Sequence, residues 1–171
     1  MDSCPGIFLD YSARKLRQAA GRIADCLSRL TDEQIWTRGA DSENAVGNLV
    51  RHLSGNVRQW IVSGVGGETD VRQRDTEFAA RGGMTAPELA AHLRTAVDEA
   101  AAVIENLPLT ELTRRIAVQG YDVTVLEAIY HVVEHFSGHT GQIIFATKWL
   151  TGKDLNFYPH LKTAGHSERT P

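Results

Sequence analysis

Residues 124–150, TVLEAIYHVVEHFSGHTGQIIFATKWL, read as one long helix, and that helix sets the architecture the chain can adopt. Thr124 and Glu127 form a T-x-x-E capping box at its start. Gly152 stands where a left-handed cap would stop it. Val125, Ile129, Val132, Phe136, Ile143 and Ala146 recur at helical spacing, and no Lys or Arg occurs before Lys148. A helix with so wide an apolar face must be covered by other helices.

Three further amphipathic stretches supply the cover. Residues 8–30 carry a stripe of Phe8, Tyr11, Leu16, Ala19, Ala20, Ile23, Leu27 and Leu30. Residues 45–63 bury Val46, Leu49, Val50, Leu53, Val57, Trp60 and Ile61 on one face. Gly47 and Gly55 lie inside that second helix, where each costs about 1 kcal/mol relative to Ala. Their presence predicts a close backbone approach there, with helix–helix packing as the expected cause. The third stretch, 85–106, opens on a capping box of Thr85 and Glu88 with Pro87 in its first turn. Trp36 is expected to cover one end of the core. Residues 64–84 read as a loop or short broken elements, long for a structureless link and so a candidate contributor to a site or an interface, in which Asp75 and Glu77 could pair with Arg58. Around Gln119 and Gly120, alternation at Ile116, Val118, Tyr121 and Val123 predicts a small hairpin leading into the last helix. After Gly152, Phe157 and Tyr158 are expected to dock, with His160 and His166 facing solvent and the end frayed. The expected architecture is all-α: a single domain over 1–171, a four-helix bundle with its core at about 8–152, a tail over 153–171, and longer connections that permit crossovers.

Composition narrows the partners. The 171 residues carry a net charge of -3, so the basic footprint of a nucleic-acid binder is missing. No apolar run approaches the roughly 18 residues of a membrane span. The start, MDSCPGIFLDYSARK, lacks the basic-then-apolar order of a secretory signal. Two cysteines without a C-x-x-C partner, Cys4 and Cys26, fit thiols in a reducing compartment, and the expected setting is cytoplasmic.

His131, His135 and His139 lie four residues apart along the last helix. Side chains at i and i+4 point the same way from adjacent turns and can converge on one ion, as in H-E-x-x-H helices. Three on one helix converge poorly, because His131 and His139 are roughly 12 Å apart along the axis. The pair is therefore His131/His135 or His135/His139, and another helix must supply the third ligand. His52 is the first candidate, since Ser54 and Gly55 leave room beside it; His92 ranks second. Histidines on an apolar face are otherwise hydrogen-bonded core residues. Taken together, His52, His135 and His139 would leave a fourth coordination position open, which marks catalytic rather than structural sites. Imidazoles suit zinc, nickel, copper or ferrous iron. An ion there could activate a water or a thiol, or polarise a carbonyl. Gly138 and Gly141 would leave space above the site, Gln142 could orient a ligand or a substrate, and Glu134 could accept a proton from a group behind the ligands or simply face solvent.

HVVEHFSGHTGQI, with AVGNLVRHLSGNVRQWI and RDTEF upstream, resembles the DinB-like superfamily over roughly residues 8–150. The H-x-x-x-H-x-G-Q-I ending is the more specific part and N-L-x-x-H-L the less specific. The resemblance implies a four-helix bundle, often a homodimer, with a three-histidine metal site at one end. By position, the metal ligands fall on His52, His135 and His139, and His131 becomes a neighbour. Zinc or nickel is the expected cofactor, with iron next. The superfamily includes bacillithiol transferases and thiol-dependent isomerases, whose metal activates a low-molecular-weight thiol. The implied activity is a thiol S-transferase acting on a small electrophile. Metal-dependent hydrolysis and a non-catalytic, metal-stabilised dimer are the alternatives. The second domain that some thiol-dependent isomerases carry is missing from this sequence, which weighs against isomerisation.

Overall fold

The structure is a computed structural model in which residues 3–162 and 170 are described. Helix α1 spans Cys4–Leu27, α2 Asp32–Trp36, α3 Val46–Val57, α4 Arg74–Ala79, α5 Ala86–Glu105 and α6 Val125–Thr151. Strands β1 (Arg115–Val118) and β2 (Tyr121–Thr124) precede α6. The chain of α3 runs on without a break into a π-helical stretch, Arg58–Val65, closed by an i→i+5 bond from Gly66 N–H to Ile61 O of 2.8 Å. Among the described residues, no helix is long and apolar enough to cross a membrane.

The four long helices form the expected bundle. Both α1 and α3 pack along α5 and α6, so α1 and α3 occupy one diagonal and α5 and α6 the other. The connections α1→α3 and α5→α6 therefore cross the bundle, and these are the crossovers that long links permit. Leu16, Ile23, Leu53, Leu89, Leu93, Ile104, Ile129, Phe136 and Ile143 are fully buried between them. Each such side chain stabilises the fold by roughly 1.5–3 kcal/mol relative to exposure.

The termini of the elements follow local chemistry. Helix α1 begins at Cys4 rather than Phe8, because the Ser3 hydroxyl caps Gly6 N–H at 3.3 Å and Pro5 sits in the first turn. Its Tyr11 is exposed, so the buried stripe runs instead through Leu9, Ala13, Leu16, Ala20 and Ile23. Thr124 Oγ accepts from Glu127 N–H at 3.2 Å, and Glu127 Oε2 accepts from Thr124 N–H at 2.7 Å, the predicted capping box of α6. Gly152 ends α6 with φ +65°, its N–H bonded to Lys148 O at 2.8 Å. The hairpin forms in the predicted place, with Val118 opposite Tyr121. Gln119 and Gly120 both have positive φ, 50° and 81°, as a two-residue primed turn requires.

A short element, α4, folds within the connection 64–84, as the sequence reading allowed. Other expectations change. Arg58 pairs with Glu99 of α5, while Glu77 pairs with Arg72, so neither Asp75 nor Glu77 ties the loop to Arg58. In the tail, Leu155 is the buried anchor at 2 % exposure and Phe157 is half-buried beside it. Tyr158 is exposed and lies under the Arg22 guanidinium, 5.1 Å from its ring centre. His160 is half-buried rather than solvent-facing, and its ring centre is 6.2 Å from that of Tyr158. His166 and most of the segment expected to fray lie outside the described residues. Cys4 is exposed and Cys26 buried, and both are free thiols; burial raises the pKa of the Cys26 thiol.

Candidate metal centre

Facing turns of α3 and α6 bring three histidines together. His52 is buried on α3, and His135 and His139 are half-buried on successive turns of α6. Their ring centres are 5.0 Å (52–135), 5.2 Å (52–139) and 4.5 Å (135–139) apart. One ring nitrogen from each lies within 4.8 Å of the others. A tetrahedral ion with Zn–N bonds of about 2.0–2.1 Å needs nitrogens about 3.3 Å apart, so small ring rotations suffice. The three imidazoles could therefore hold one metal ion. Among the described residues, no fourth histidine, cysteine or carboxylate joins the cluster.

What stands behind the rings decides which nitrogens are available. Glu77 Oε2 lies 3.2 Å from His52 Nδ1. The carboxylate is gripped on both oxygens by Arg72, with Nε donating to Oε1 and Nη2 to Oε2, each at 2.8 Å. A carboxylate only accepts, so a proton on His52 Nδ1 donates to Glu77 and frees Nε2 toward the cluster. With the proton on Nε2 instead, His52 donates to His135 Nε2, 2.9 Å away, and Arg72 Nη2, at 3.0 Å, donates to Nδ1. Only the first arrangement offers an ion a lone pair. His139 is turned in the same manner, with its Nδ1 2.7 Å from Gln142 Oε1.

Electrostatics favours the neutral rings that metals bind. Burial pushes His135 down to about 3, aided by the charges that His139, His52 and His131 would carry. Burial also lowers His139, against an opposing hydrogen bond to Gln142. Burial alone would raise Glu77, but the Arg72 and His52 hydrogen bonds outweigh it and hold the carboxyl below its ordinary value. The site thus pairs uncharged donors in front with a fixed negative charge behind His52.

A buried asparagine holds that charge in place. Asn48 Oδ1 accepts from Ala45 N–H at 3.1 Å and from Arg38 Nη2 at 2.7 Å. Its Nδ2 donates to Glu77 O at 2.8 Å and to Ala80 O at 2.9 Å, clamping the C-terminal end of α4 onto α3. In the N-L-x-x-H-L motif, then, Asn48 positions the segment whose carboxylate orients His52. Gly55 admits the same carboxylate: a Cβ there would sit 2.0 Å from Glu77 Oε1. Gly47 admits the Trp36 ring, 2.8 Å from where its Cβ would be. Both glycines thus admit side chains of neighbouring short helices, Trp36 of α2 and Glu77 of α4, the close approach expected of them. Ser54 does not make room for an ion, since its hydroxyl is buried on Val50 O at 2.9 Å.

Other candidates stand apart. His131 stacks on His135 with ring centres 5.7 Å apart and packs against Trp60 at 4.3 Å, outside the cluster. His92 is exposed on α5. It lines a cleft of about 670 Å³ with Gly55, Arg72 and Glu77, and none of the three clustered histidines reaches that cleft. Glu134 is exposed, and Glu77 takes the carboxylate role expected of it. Gly138 and Gly141 are exposed too, and Gly141 lines a groove against α1 rather than the histidine cluster. A separate trough of about 500 Å³ opens from His52 and His135, walled by His131, Asn56, Trp60 and Tyr121. The sequence offered two signals here: Gly55, which admits Glu77 and Arg72, and RDTEF, which contains Glu77.

Solved structures share this fold. A conserved protein from Enterococcus faecalis superposes with a TM-score of 0.73 at 16% identity, covering 84% of this chain and 97% of its own. A DinB-like protein (YjoA) from Bacillus subtilis gives 0.65 at 16% identity over 86% of this chain and 96% of that one. A DinB-like protein from Bacillus cereus ATCC 10987 gives 0.66 at 16% identity over 84% and 93%. No curated protein matches the chain. A family model described as "Protein of unknown function (DUF1572)" matches residues 5–159, so the chain, DinB-like in fold, belongs to that family.

Proposed function

We propose that His52, His135 and His139 bind one divalent metal ion with an open coordination position, and that the protein is a metal-dependent enzyme. The carrying observation is that three ring nitrogens from two helices lie within 4.8 Å of one another. Two of those rings are fixed from behind, by Glu77 and by Gln142. Three neutral imidazoles suit zinc or nickel, with iron next. With no fourth donor in the cluster among the described residues, the coordination is that of a catalytic centre rather than a closed structural one.

The reaction we propose is thiol S-transfer, in which a small thiol gives its S–H proton to water and its sulfur bonds to an electrophilic carbon as that carbon's leaving group departs with the electron pair of the broken bond. A divalent ion supplies the Lewis acidity that makes a thiol a thiolate near neutral pH. The chain's own part is positional. Glu77 and Gln142 keep His52 and His139 in the tautomer that faces inward, and the open trough beside His135 receives the reactants. A cytoplasmic setting belongs to the same reading, supported by two free cysteines. So does a homodimer, for which α6 offers Tyr130, Phe145 and Trp149 at 62%, 73% and 72% exposure.

Elemental analysis of the purified protein is the first test, with about one zinc, nickel or iron per chain expected. His135→Ala should lose the ion. A screen of low-molecular-weight thiols against small electrophiles should then show turnover that chelation abolishes. Protein that takes up no divalent ion at neutral pH would end the proposal, and metal uptake without any thiol turnover would end its S-transfer part.

A further inference from the structure

The trough beside the histidines has a chemical polarity of its own. It runs along α6 from His135, past His131, to Glu127 in the first turn. At the far end, the Trp60 and Tyr121 rings lie 6.1 Å apart at 34°, in the same cavity as the Glu127 carboxylate. Glu127 spends Oε2 on Thr124, and Arg115, the nearby cation, is engaged by Asp122 at 3.0 Å. Two electron-rich faces with a carboxylate are the groups that recognise an ammonium ion. Arg74 also lines the cavity, but toward the other end: its guanidinium sits 4.8 Å over Phe78, whose ring is 4.7 Å from that of His52. Two buried wall residues each keep a polar atom without a partner, Trp60 Nε1 and Asn56 Oδ1. Unsatisfied buried groups are rare, and here they border a cavity. Trp60 is carried by the π-helical stretch, a distortion that recurs at functional sites.

We propose that this trough binds a small molecule with an ammonium group at one end and an anionic group at the other. The ammonium lies between Trp60, Tyr121 and Glu127, and the anionic group faces Arg74 and the histidine cluster. The anionic half rests on the metal reading above; the ammonium half does not. Glu127 and His135 are two turns apart, roughly 12 Å along the axis. Subtracting roughly 3 Å for a hydrogen bond at one end and roughly 2 Å for a metal bond at the other leaves about 7 Å between the charges. An amino acid with its amine at the end of a short chain has that length.

Isothermal titration of metal-loaded protein with 6-aminohexanoate, hexanoate and hexylamine reads both ends. The amino acid should bind about tenfold or more tightly than either singly charged analogue. Glu127→Gln retains an oxygen for the capping bond, so the helix start survives. That variant should lose the preference over hexanoate while its binding of hexanoate stays unchanged. Arg74→Gln should lose the preference over hexylamine instead. Hexylamine titrated into metal-free protein separates the two readings. Protein that takes up no ion, yet binds hexylamine and loses it in Glu127→Gln, keeps the ammonium site and drops the metal. Equal binding of hexanoate and 6-aminohexanoate, an unchanged ratio in Glu127→Gln, or no binding of any of the three overturns the proposal.

Discussion

Glu77 is the residue on which the cluster's geometry turns, though it touches no ion itself in the proposed site. It fixes His52 from 3.2 Å while Arg72 fixes it in turn. Glu77→Gln keeps the shape but weakens the charge behind the ring, and metal affinity should fall about 10–100-fold in a competition titration with a chelator. Gly55→Ala should do comparable harm by a different route, since its new Cβ would occupy the carboxylate's place. If the clash acts through that carboxylate, the Gly55→Ala/Glu77→Ala double variant should lose no more affinity than Glu77→Ala alone; additive losses would show that the two act independently, against this account. His135 contributes to the pH dependence of the metal-free protein, beside His139, which burial also lowers, and Glu77. For His135 the folded-state pKa of about 3 lies below the ordinary 6.5, so protons favour the unfolded chain as pH drops through that window. Denaturant melts at stepped pH should show stability lost from about 6.5 toward 3, and a shallower loss in His135→Ala. Sequence neighbours were a poor guide at this scale: Glu134 precedes His135, but adjacent helical positions diverge by about 100° and Glu134 faces outward.

Elements differ in how openly they announce themselves. Helix α6 was legible end to end because its capping box and its terminal glycine are local chemistry, and the hairpin was legible because Gln119-Gly120 has to turn with positive φ. Replacing Gly120 with Val should therefore cost stability without touching the metal, by about 1–2 kcal/mol in a chemical melt. Helix α4 was hidden. Its six residues, RDTEFA, hold a single large apolar side chain, and what fixes them is Asn48 on another element. The π-helical turn was hidden too, since nothing in RQWIVSGV distinguishes an i→i+5 bond from the ordinary one. Gly55 showed that something approaches α3, but the visitor comes from a distant part of the chain and periodicity has no means of naming it. The three histidines were found by spacing on one helix and by the likeness to DinB-like proteins on the other, and the structure brings those three together.

At the scale of the molecule, an ion in the proposed site would be coupled to the fold. An ion that binds only the folded chain stabilises it by about 2.7 kcal/mol at a free concentration one hundred times the Kd. For a chain of this size that is a rise in Tm of roughly 5–10 °C, which a chelator should reverse in a calorimetric scan. An unchanged Tm would mean that the cluster is a buried polar network and nothing more. One diagonal crossing enters α3 past Trp36, which packs on Gly47, and the other enters α6 through the hairpin, ten residues before His135. The site is thus assembled late in the chain's path, from parts distant in sequence. Asn48 joins them by closing one short segment over the α3 backbone. That closure has a kinetic meaning. Metal bound by three rings leaves only when a ring turns away, and His52 is held from turning by a carboxylate whose segment must first lift. Amide hydrogen exchange across residues 74–79 and the rate of ion release should then share one rate constant, and Asn48→Ala should speed both together.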